Sequence, residues 1–567
     1  MGSSPTRGTD ASPEIRGFFL YDIPCQATIL SDIWQAENKA LEPSSLSIIR
    51  KVSEQEVQAI QEKLSQEASK EMRERLEKRA RLYEEGIDPY PAELPINTTI
   101  DQVRSQYDGV LKPDEQRLDT DIAVAGRIML RRGSGKIAFT SLQQGDGTRL
   151  QAIFQVGEFL TLESLKKYKA DADLGDHLFV RGHIGTSKRG ELSLFVHEWR
   201  IASKAIRPLP KTYTNEAGEE VSLSEEARVR LRHLDLIMRS DARDTVRLRS
   251  AVMKSLRKNF DNRDYIEIET PMLQTVHGGA SARPFLTHIN AYDQDLYLRI
   301  ATELFLKRAV VGGIDRVFEI NRNFRNEGAD STHSPEFTAL EAYQTYGTYD
   351  TMAELTRNLV QQAALDACGT TLVTLADGTE YDFGGEWKSI DLYTSVSDAL
   401  GVEITPETPR DTLEKIAQTR GISVAPFWVP GKIVEELFED ACGDQLWEPT
   451  FVRDFPEDTS PLTRPHRTKK GVTEKWDLYV RGMELATAYS ELADPVIQRE
   501  RLVAQSLEAA KGDPEAMQID EEFLQAMEQG FPPTGGMGMG IDRLLTAITG
   551  LGIRETITFP FIKPVDR

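Results

Sequence analysis

Several residues of this chain have the types and spacing that a polyanion and an aromatic ring would need for binding. Arg325 lies two residues before Glu327 in the stretch FRNEGADSTHSPEF, which spans residues 324–337 and closes on Phe337. The centre of this stretch is rich in turn formers, so we expect a loop there. A planar guanidinium offers bidentate donors to phosphate or carboxylate, and a phenylalanine ring can stack on a heterocycle. By itself the stretch is compatible with a nucleotide site.

Three glutamates in otherwise apolar stretches indicate a second kind of chemistry. Glu303, Glu341 and Glu491 lie in the segments IATELFL, FTALEAY and TAYSELA. Burying a carboxylate is costly unless a cation meets it. A ligand that carries two ammonium groups would supply that compensation, whereas a ligand with an acidic side chain would need cations in the same place.

Two glycine-rich patterns lack the spacing of nucleotide-binding motifs. A phosphate loop around GSGK at 133–136 would need glycine and a hydroxyl residue where the chain has Leu130 and Ile137. This stretch therefore predicts a hairpin turn. The run GGMGMG at 535–540 does not fit the dinucleotide-binding spacing.

Composition limits the class of protein that could hold these residues. Forty per cent hydrophobic and 28% charged residues in a chain of 567 predict two or three soluble globular domains. No apolar run approaches the length of a membrane span or of a secretory signal, so we expect no membrane partner. Cys25, Cys368 and Cys442 form neither a metal spacing nor a disulfide framework, which favours a cytoplasmic location. The net charge of −22 disfavours general nucleic-acid binding, so any such partner needs a local basic surface.

The N-terminal part divides into an extension and a helical segment. Residues 1–52 show no sustained period, and we expect them to be poorly ordered, either as a flexible tail or as translated sequence upstream of the true start. Ser53 and Glu56 have capping-box spacing, and an apolar stripe with helical period runs on to Tyr83. The segment 53–120 is therefore predicted to be helical. Its basic polar face is either solvated or a nucleic-acid helper, and the solvated reading is favoured.

The remaining sequence predicts an α+β protein with two kinds of sheet. Short strand-like runs separated by turn residues over 121–205 fit a five-stranded closed barrel of the OB type. Residues 206–239 are a predicted linker or hinge. Helices and strands alternate irregularly over 240–567, which favours an antiparallel sheet flanked by helices over a doubly wound fold. Residues 400–475 are predicted to be a peripheral insertion.

Three segments in order carry a family resemblance. The first is a capped helix followed by DYIEIETPML, which is predicted to be a strand. The second is the stretch RVFEINRNFRNEG, and the third is GMGMGIDRLL, which contains Asp542 and Arg543. In this order they resemble the three signature motifs of class II aminoacyl-tRNA synthetases. The segments GGASARPF, LYLRIATELFLKRAVVGG, HSPEFTALEAY and YSELADP narrow the resemblance. With a barrel placed N-terminally, the chain is similar, from about residue 53 to its end, to the bacterial, actinobacterial-like class II lysyl-tRNA synthetases.

The resemblance implies an activity and a nucleotide site. Such an enzyme activates L-lysine with ATP to lysyl-adenylate and transfers it to the 3′ end of tRNA-Lys. Arg325 would bridge the α-phosphate and the substrate carboxylate, Arg543 would meet the γ-phosphate and one face of the adenine, and Phe337 would stack on the other face. Arg325, Arg543 and Glu327 are the implied catalytic residues. The other implied ATP ligands are Glu327, His333, Glu484 and Gly540.

The resemblance also implies several Mg²⁺ ions per subunit, held in part by Asp477 and Glu484. Magnesium prefers hard oxygen ligands and keeps several waters. Asp477 replaces a glutamate that is usual in the family, which shortens the arm by one methylene. We expect metal binding to survive that change.

The lysine pocket follows from the same resemblance. Glu303 and the backbone of Gly279 would take the α-ammonium, and Glu341, Tyr343 and Glu491 the ε-ammonium. Tyr489 would lie along the aliphatic stem, and Arg325 and Thr487 near the carboxylate. The acids argue against the aspartyl relatives, which would need cations here. The chain departs from the family at Thr302, Met483, Thr487 and Ala493, where proline, a basic residue, asparagine and asparagine are usual.

The barrel would make tRNA-Lys a partner in spite of the net charge. Single-stranded bases are read by stacking and edge hydrogen bonds. The resemblance implies that Phe139 stacks on an anticodon base while Arg132 and Gln151 read it, although alternation alone allows Phe139 in the barrel core and Arg131 competes with Arg132. The residues that would make the surface locally positive are Arg127, Arg131 and Lys136.

Two other functions remain open from sequence. One is a tRNA-independent lysyltransferase that acts on a protein or a lipid; its known forms lack the barrel or carry membrane helices. The other is an inactive tRNA-binding regulator, against which the presence of Arg325, Glu327, Glu484 and Arg543 argues. The first motif usually builds a dimer interface in this class, so we predict a homodimer.

Overall fold

The computed structural model describes residues 69–214, 220–221, 223–330, 333–510 and 517–563. The chain divides into two compact units, residues 1–77 and 78–567. In the first unit the described part is the beginning of helix α1 (Lys70–Glu84), where Met72 N donates to Ser69 Oγ at 3.2 Å. The predicted extension 1–52 and the predicted helix start at Ser53 lie outside the described residues.

Five strands of the second unit form a closed barrel, which confirms the predicted OB fold. They are β1 (Gln116–Arg132), β2 (Ile137–Gln143), β3 (Arg149–Gln155), β4 (His177–Thr186) and β5 (Leu192–Ser203). The order around the barrel is β1-β2-β3-β5-β4, and only the β3–β5 pair is parallel. The stretch GSGK is the turn between β1 and β2, as predicted. Strand β1 begins before the predicted boundary because its first residues already pair with the end of β4.

Two helices pack against the barrel: α2 (Ile100–Tyr107) and α3 (Leu162–Asp171). Helix α3 joins β3 to β4 along the chain, and its Tyr168 ring stacks on Phe154 at 3.9 Å inside the core. In β2 the residues Ala138 and Thr140 are buried, whereas Phe139 between them is only half-buried. Since neighbours in a strand face opposite sides, Phe139 lies on the outer face of the barrel.

The predicted linker contains regular structure. It holds two-residue strands β6 (Tyr213–Thr214) and β7 (Glu220–Val221) and two short helices, α4 (Glu225–Arg230) and α5 (Arg232–Met238). Arg232 is buried, pairs with Asp235 at 2.7 Å and donates to the carbonyls of Arg554 and Thr558. These bonds fasten the segment to the C-terminal end of the chain.

An eight-stranded sheet forms the centre of the C-terminal part, in the order β16-β17-β18-β19-β20-β13-β12-β8. The strands are β8 (Ile266–Glu267), β12 (Arg316–Phe324), β13 (Glu336–Thr345), β16 (Lys388–Asp391), β17 (Thr450–Arg453), β18 (Lys475–Val480), β19 (Met483–Ser490) and β20 (Thr534–Gly540). Neighbours are antiparallel except for the two edge pairs, β8–β12 and β16–β17. The α+β prediction is therefore confirmed.

Helices cover this sheet and bury its core. They are α6 (Ser240–Asp261), α7 (Glu303–Val311), α8 (Tyr349–Cys368), α9 (Leu392–Leu400), α10 (Arg410–Thr419), α11 (Pro430–Ala441), α12 (Pro495–Ala510), α13 (Glu521–Glu528), α14 (Ile541–Thr549) and α15 (Ile553–Thr556). Phe260 of α6 stacks on Phe318 of β12 at 4.2 Å, and both belong to the largest apolar cluster. No helix of the described ranges is long and apolar enough to cross a membrane.

Two stretches differ from their predictions. DYIEIETPML was expected as one strand, but only Ile266–Glu267 pairs with β12, and Leu273–Gln274 (β9) joins a small sheet with β10 (Phe285–Ile289) and β11 (Gln294–Leu298). Pro271 has no N–H to donate between the two pieces. Within 400–475, helices α10 and α11 form a separate cluster with α9, but β17 is a strand of the central sheet.

A two-stranded β-hairpin follows α8 and is formed by β14 (Leu372–Thr374) and β15 (Glu380–Asp382). Helix α8 ends at Gly369, whose φ of +77° is the left-handed conformation that favours glycine at this position.

Candidate active site

A cavity of about 490 Å³ opens over the middle of the central sheet. Its wall includes all but one of the residues that the sequence analysis assigned to ATP, lysine or metal. They are Gly279, Glu303, Arg325, Glu327, His333, Phe337, Glu341, Tyr343, Asp477, Glu484, Thr487, Tyr489, Gly540 and Arg543. The exception is Glu491, which is buried behind the cavity floor.

Strand register explains why these side chains meet. Glu341 of β13 is opposite Gly538 of β20, which is opposite Thr487 of β19, which is opposite Asp477 of β18. Side chains that are directly opposite one another share a face of the sheet. The row therefore presents one carboxylate at each end, with a glycine and a threonine between them. The row two residues along runs through Tyr343, Gly536, Tyr489 and Lys475.

The glycines of β20 leave space that other residues use. A Cβ on Gly536 would lie 2.0 Å from Glu491 Oε1 and 2.5 Å from Tyr343 Cε1, so only glycine fits there. A Cβ on Gly538 would have Glu341 Cγ as its nearest neighbour at 3.8 Å. The missing side chain at Gly536 leaves room for the Glu491 carboxylate behind the strand, and the missing side chain at Gly538 leaves the cavity open.

Arg325 lies at the end of β12, where the predicted loop begins. Its backbone N–H donates to Pro335 O at 2.9 Å, and its guanidinium lies 5.2 Å from the centroid of the Phe337 ring. Burial lowers the pKa of Arg325, while Glu327 and Glu484 oppose that shift. Its Nε is buried and has no hydrogen-bond partner among the described residues. A half-buried guanidinium with an unused donor is suited to bind an anion from the cavity.

The rest of the loop is exposed, and residues 331–332 within it lie outside the described ranges. Glu327 Oε1 accepts the backbone N–H of Arg283 at 3.3 Å, which ties the loop to the segment before β10. The backbone N–H of His333 donates to Asp330 Oδ1 at 2.7 Å. Both Glu327 and His333 reach the cavity wall from this loop.

Arg543 occupies the first turn of α14. Its Nη1 donates to the carbonyl of Glu484 at 2.7 Å and lies 3.9 Å from the Glu484 carboxylate. The preceding Asp542 is buried and accepts from Thr338 N at 2.7 Å and from Arg249 Nη1 at 2.6 Å. Asp542 thus anchors the helix to β13 and α6, and this anchor fixes where Arg543 emerges.

Asp477 and Glu484 lie close enough to influence one another and fit a site for a hard cation. Burial raises the pKa of Asp477, Lys475 opposes the shift and Glu484 adds to it. Lys475 Nζ is 3.1 Å from Asp477 Oδ2, whereas Oδ1 is buried and has no hydrogen-bond partner within the described ranges. The described residues include no group of three or more acid, histidine or cysteine side chains of metal-binding geometry. One or two carboxylates that complete their shell with substrate oxygens and water are the usual arrangement for Mg²⁺.

The acidic part of the cavity centres on Glu341, which is 8% exposed. Its Oε1 accepts the backbone N–H of Thr302 at 3.0 Å, and its Oε2 accepts the Tyr343 hydroxyl at 3.3 Å. Burial first, and then Glu303, raises the pKa of Glu341 to about 7. Gly279 has a φ of +85°, and a Cβ there would lie 3.1 Å from Glu303 Cβ. The Gly279 backbone is therefore next to the Glu303 side chain.

The structure shows the surroundings of the four residues at which the chain departs from the family. The Thr302 N–H that binds Glu341 would be missing in a proline. Thr487 faces the cavity, and its hydroxyl is 3.4 Å from Trp476 O. Met483 packs against the largest apolar cluster, and Ala493 packs against a smaller one.

Three polar residues at the site were not identified from sequence. Buried Lys307 binds Glu303 and Glu491, and half-buried Lys475 binds Asp477. Asn323 lines the cavity, and its Oδ1 has no hydrogen-bond partner in the part of the chain that the structure describes. The spacing of Glu303 and Lys307 on one helix, and of Lys475 and Asp477 on one strand, is a signal that could have found the two lysines. Asn323 carries no such signal.

The predicted base-reading residues lie together on the barrel. Arg132 is opposite Phe139 across the β1–β2 pair, and Gln151 of β3 is opposite Ser141 of β2. Gln151 Nε2 donates to Ser193 Oγ at 2.8 Å. Phe139 and Gln151 are half-buried and Arg132 is exposed, so they form an accessible outer patch.

Of the three basic residues predicted near this patch, two bind backbone carbonyls of the barrel and one is exposed. Arg131 donates to Ala172 O and lies over the Tyr168 ring, which turns it away from the side of Arg132. Arg127 donates to Gly175 O at 2.8 Å, and burial lowers its pKa. Lys136 is exposed in the β1–β2 turn.

Comparisons with known proteins agree with this architecture. The family model "tRNA synthetases class II (D, K and N)" matches residues 224–563, and the model "OB-fold nucleic acid binding domain" matches residues 122–202. The lysine–tRNA ligase of Kineococcus radiotolerans is 58% identical over 503 residues, which cover 88% of this chain and 98% of that protein. The lysine–tRNA ligase of Mycolicibacterium gilvum is 56% identical over 87% of this chain and 97% of that protein. A lysylphosphatidylglycerol biosynthesis bifunctional protein of Mycolicibacterium vanbaalenii is 47% identical over 87% of this chain but 44% of its own length.

Proposed function

The chain belongs to the class II tRNA synthetases (D, K and N), and from that membership we propose that it is an enzyme that joins L-lysine to tRNA-Lys at the expense of ATP. The observation that carries the choice of amino acid is the buried acidic end of the cavity. Glu303 and Glu341 face the cavity there, and the Glu491 carboxylate lies directly behind Gly536. Buried carboxylates of this kind need cations, and the two ammonium groups of lysine supply them.

The two ends of lysine would have separate partners. Glu303, beside the Gly279 backbone, takes the α-ammonium. Glu341 and Glu491, together with the Tyr343 hydroxyl, take the ε-ammonium. The phenol of Tyr489 lies along the stem, and the Arg325 guanidinium binds the carboxylate on the side of Thr487. This arrangement rejects aspartate, because its side chain would meet like charge in an unsolvated place.

The nucleotide would lie over the other end of the cavity. Phe337 stacks on the adenine, and Arg543 covers the opposite face and reaches the γ-phosphate. Glu327 and His333 hold the nucleotide from the loop, while Gly540 lets the backbone come close to it. Arg325 neutralises the α-phosphate, which is where negative charge accumulates during the reaction.

The proposed reaction has two steps. A lysine carboxylate oxygen attacks the α-phosphorus in line, the bond to the bridging oxygen breaks, and pyrophosphate leaves with the electron pair. The terminal ribose hydroxyl of tRNA then attacks the lysyl carbonyl, loses its proton, and AMP leaves. The protein contributes positioning and charge stabilisation, so no covalent nucleophile is needed.

Asp477 and Glu484 are the residues that would hold Mg²⁺. When bound, the ion neutralises charge on the phosphate oxygens. Lys475 would orient Asp477 for this role, because it contacts one carboxylate oxygen and the other has no hydrogen-bond partner among the residues that the structure describes.

The barrel would bind the anticodon through the patch of Arg132, Phe139 and Gln151. The half-buried Phe139 ring offers one face for stacking, and the two polar side chains beside it offer donors for a base edge. Such stacking tolerates a negative net charge on the whole protein, because the contact depends on local groups.

We also infer a homodimer and a cytoplasmic location. Apolar side chains are exposed in the first-motif region at Ile266, Leu273 and Leu286, with exposures of 54%, 51% and 72%. A second copy is the partner that would cover them in this family. Sedimentation at micromolar concentration should show a dimer, and a monomer would contradict the inference.

One experiment in two stages tests the proposed function. Lysine-dependent exchange of pyrophosphate into ATP should occur, and aspartate or asparagine in place of lysine should not support it. The enzyme should then charge tRNA-Lys. Exchange without charging would point to a different acceptor for the lysyl group, and an absence of both would leave a tRNA-binding regulator as the better reading.

A further inference from the structure

Lys307 is a fully buried lysine at the acidic end of the cavity. Its Nζ lies 2.5 Å from Glu303 Oε1 and 2.5 Å from Glu491 Oε2, and its side chain is 1% exposed. It follows Glu303 by one helical turn on α7, and it does not reach the cavity surface.

The ionisable groups around Lys307 and its two glutamates come from one helix, two strands and the residue that follows the second strand. They are Glu303 on α7, Glu341 and Tyr343 on β13, Tyr489 on β19, and Glu491 immediately after β19. Glu319 of β12 also faces Glu341, but Arg299 binds it at 2.8 Å. Glu303, Glu341 and Glu491 would therefore repel one another in a dry environment if no cation stood between them.

The net charge of Lys307 and the three glutamates around it indicates a role for Lys307 in recognition of lysine. When Glu303, Glu341 and Glu491 are all ionised, the three carboxylates and the one resident ammonium leave two negative charges, which equals the number of ammonium groups on lysine. We propose that Lys307 is a positioning residue that keeps Glu303 and Glu491 ionised and oriented, so that the cavity accepts a ligand with two positive charges. This inference rests on the proposed function and adds to it the residue that sets the charge of the pocket.

The free atoms fit this role. Lys307 forms an ion pair with Oε2 of Glu491, and Oε1 lies in the space that a side chain at position 536 would fill. Neither oxygen of this carboxylate has a hydrogen-bond partner among the described residues. Lys307 also fixes the rotamer of Glu303, whose carboxylate faces the cavity from the helix start. Lys307 thus contacts one oxygen of each glutamate, and hydrogen-bonding capacity remains on the Glu491 carboxylate for a ligand.

A different reading is that Lys307 occupies the place of a substrate ammonium and is displaced on binding. The two readings make opposite predictions for a variant without the charge. If Lys307 is a positioning residue, its loss weakens lysine binding. If it competes with the substrate, its loss strengthens lysine binding.

The test compares Lys307→Met, Lys307→Arg and Arg308→Gln in lysine-dependent pyrophosphate exchange between pH 6 and pH 9. Arg308 is the next residue on α7 and binds exposed Glu522 at 2.9 Å, so its variant is a matched control for loss of a cation from this helix. Lys307→Met should raise the KM for lysine at least tenfold at pH 7, with the KM for ATP within twofold of the wild type. Lys307→Arg should recover most of the loss, and Arg308→Gln should match the wild type.

The pH profile separates recognition from a general packing defect. Without Lys307 the two glutamates hold their protons to higher pH, so the acid limb of kcat/KM for lysine should move upward by at least one pH unit. If Lys307→Met does not fold, Lys307→Gln, which keeps hydrogen-bond donors but not the charge, decides in the same way. An unchanged or lower lysine KM with an unmoved acid limb would overturn the inference. Failure of the wild type itself to exchange with lysine would instead refute the proposed function.

Discussion

Glu341→Gln should separate substrate recognition from stability in one substitution. Glutamine keeps the shape of the side chain and an acceptor for the Thr302 N–H, but it removes the charge that would meet an ammonium group of lysine. Leaving one partner of a buried ion pair uncompensated costs roughly 3–5 kcal/mol. Since about 1.4 kcal/mol is a factor of ten, lysine binding should weaken by about a hundredfold to a few thousandfold.

The same substitution should stabilise the protein without lysine, and the sign follows from the pKa. Burial raises the pKa of Glu341 from 4.5 to about 7, so the folded state holds a proton that the unfolded state has lost between these values. Stability therefore falls as pH rises from 4.5 to 7, by about 3 kcal/mol for this shift. Glutamine has no proton to lose. The variant should melt at a higher temperature than the wild type at pH 8 and gain nothing at pH 4.

The assay is lysine-dependent pyrophosphate exchange with titration of lysine and of ATP, together with thermal melts at the two pH values. Glu336→Gln is the matched control, since Glu336 is exposed on the same strand and lies 3.6 Å from Arg322. The KM for ATP should stay within twofold in both variants. A lysine KM for Glu341→Gln within threefold of the wild type would refute the acidic-pocket reasoning, and an unchanged melt at pH 8 would refute the pKa argument.

Three further outcomes are expected. Gly536→Ala would place a methyl carbon 2.0 Å from the Glu491 carboxylate, so it should lower kcat/KM for lysine more than tenfold and lower Tm. Gly538→Ala, whose methyl carbon would have its nearest atom at 3.8 Å, should leave Tm unchanged, and equal melting temperatures for the two variants would contradict the packing argument. Phe139→Ala should weaken tRNA-Lys binding by roughly 1–3 kcal/mol, read as tRNA KM in charging, and leave pyrophosphate exchange intact; a matching loss in exchange would show that the barrel site is misassigned. Thr302→Pro removes the N–H that binds Glu341, so the acid limb of lysine use should move to higher pH, while Thr302→Ala, which keeps the N–H and loses only the hydroxyl, should move it less; identical profiles for both variants would rule out the amide contact.

Local patterns were enough to predict much of the candidate site. Alternation along β13 puts Phe337, Glu341 and Tyr343 on one face of a strand, and the apolar neighbours of Glu341 indicate that it is buried. The five strand-like runs of the barrel are also local signals, as is the turn between β1 and β2. In each case a period of two or a turn residue encodes the outcome within a few positions.

Other features depend on which strands become neighbours. Thr487 and Glu341 share a row only because glycine-rich β20 pairs between their strands, and β17 enters the central sheet although helical sequence surrounds it. The break of DYIEIETPML into two short strands depends likewise on where β12 and β11 lie. Pairing between strands that are far apart in sequence is a property of the packed sheet, and no local period contains it.

The amino-acid sequence by itself determined which groups could do chemistry: an arginine with an aromatic partner, buried acids, and a glycine run that leads into a helix with an arginine in its first turn. Only the tertiary structure decided the charges that each acid meets. It pairs Lys307 with both Glu303 and Glu491, and Lys475 with one oxygen of Asp477. The physical reason is that burial and partner distance set the energy of an ionised side chain, and both are fixed only when distant segments pack together.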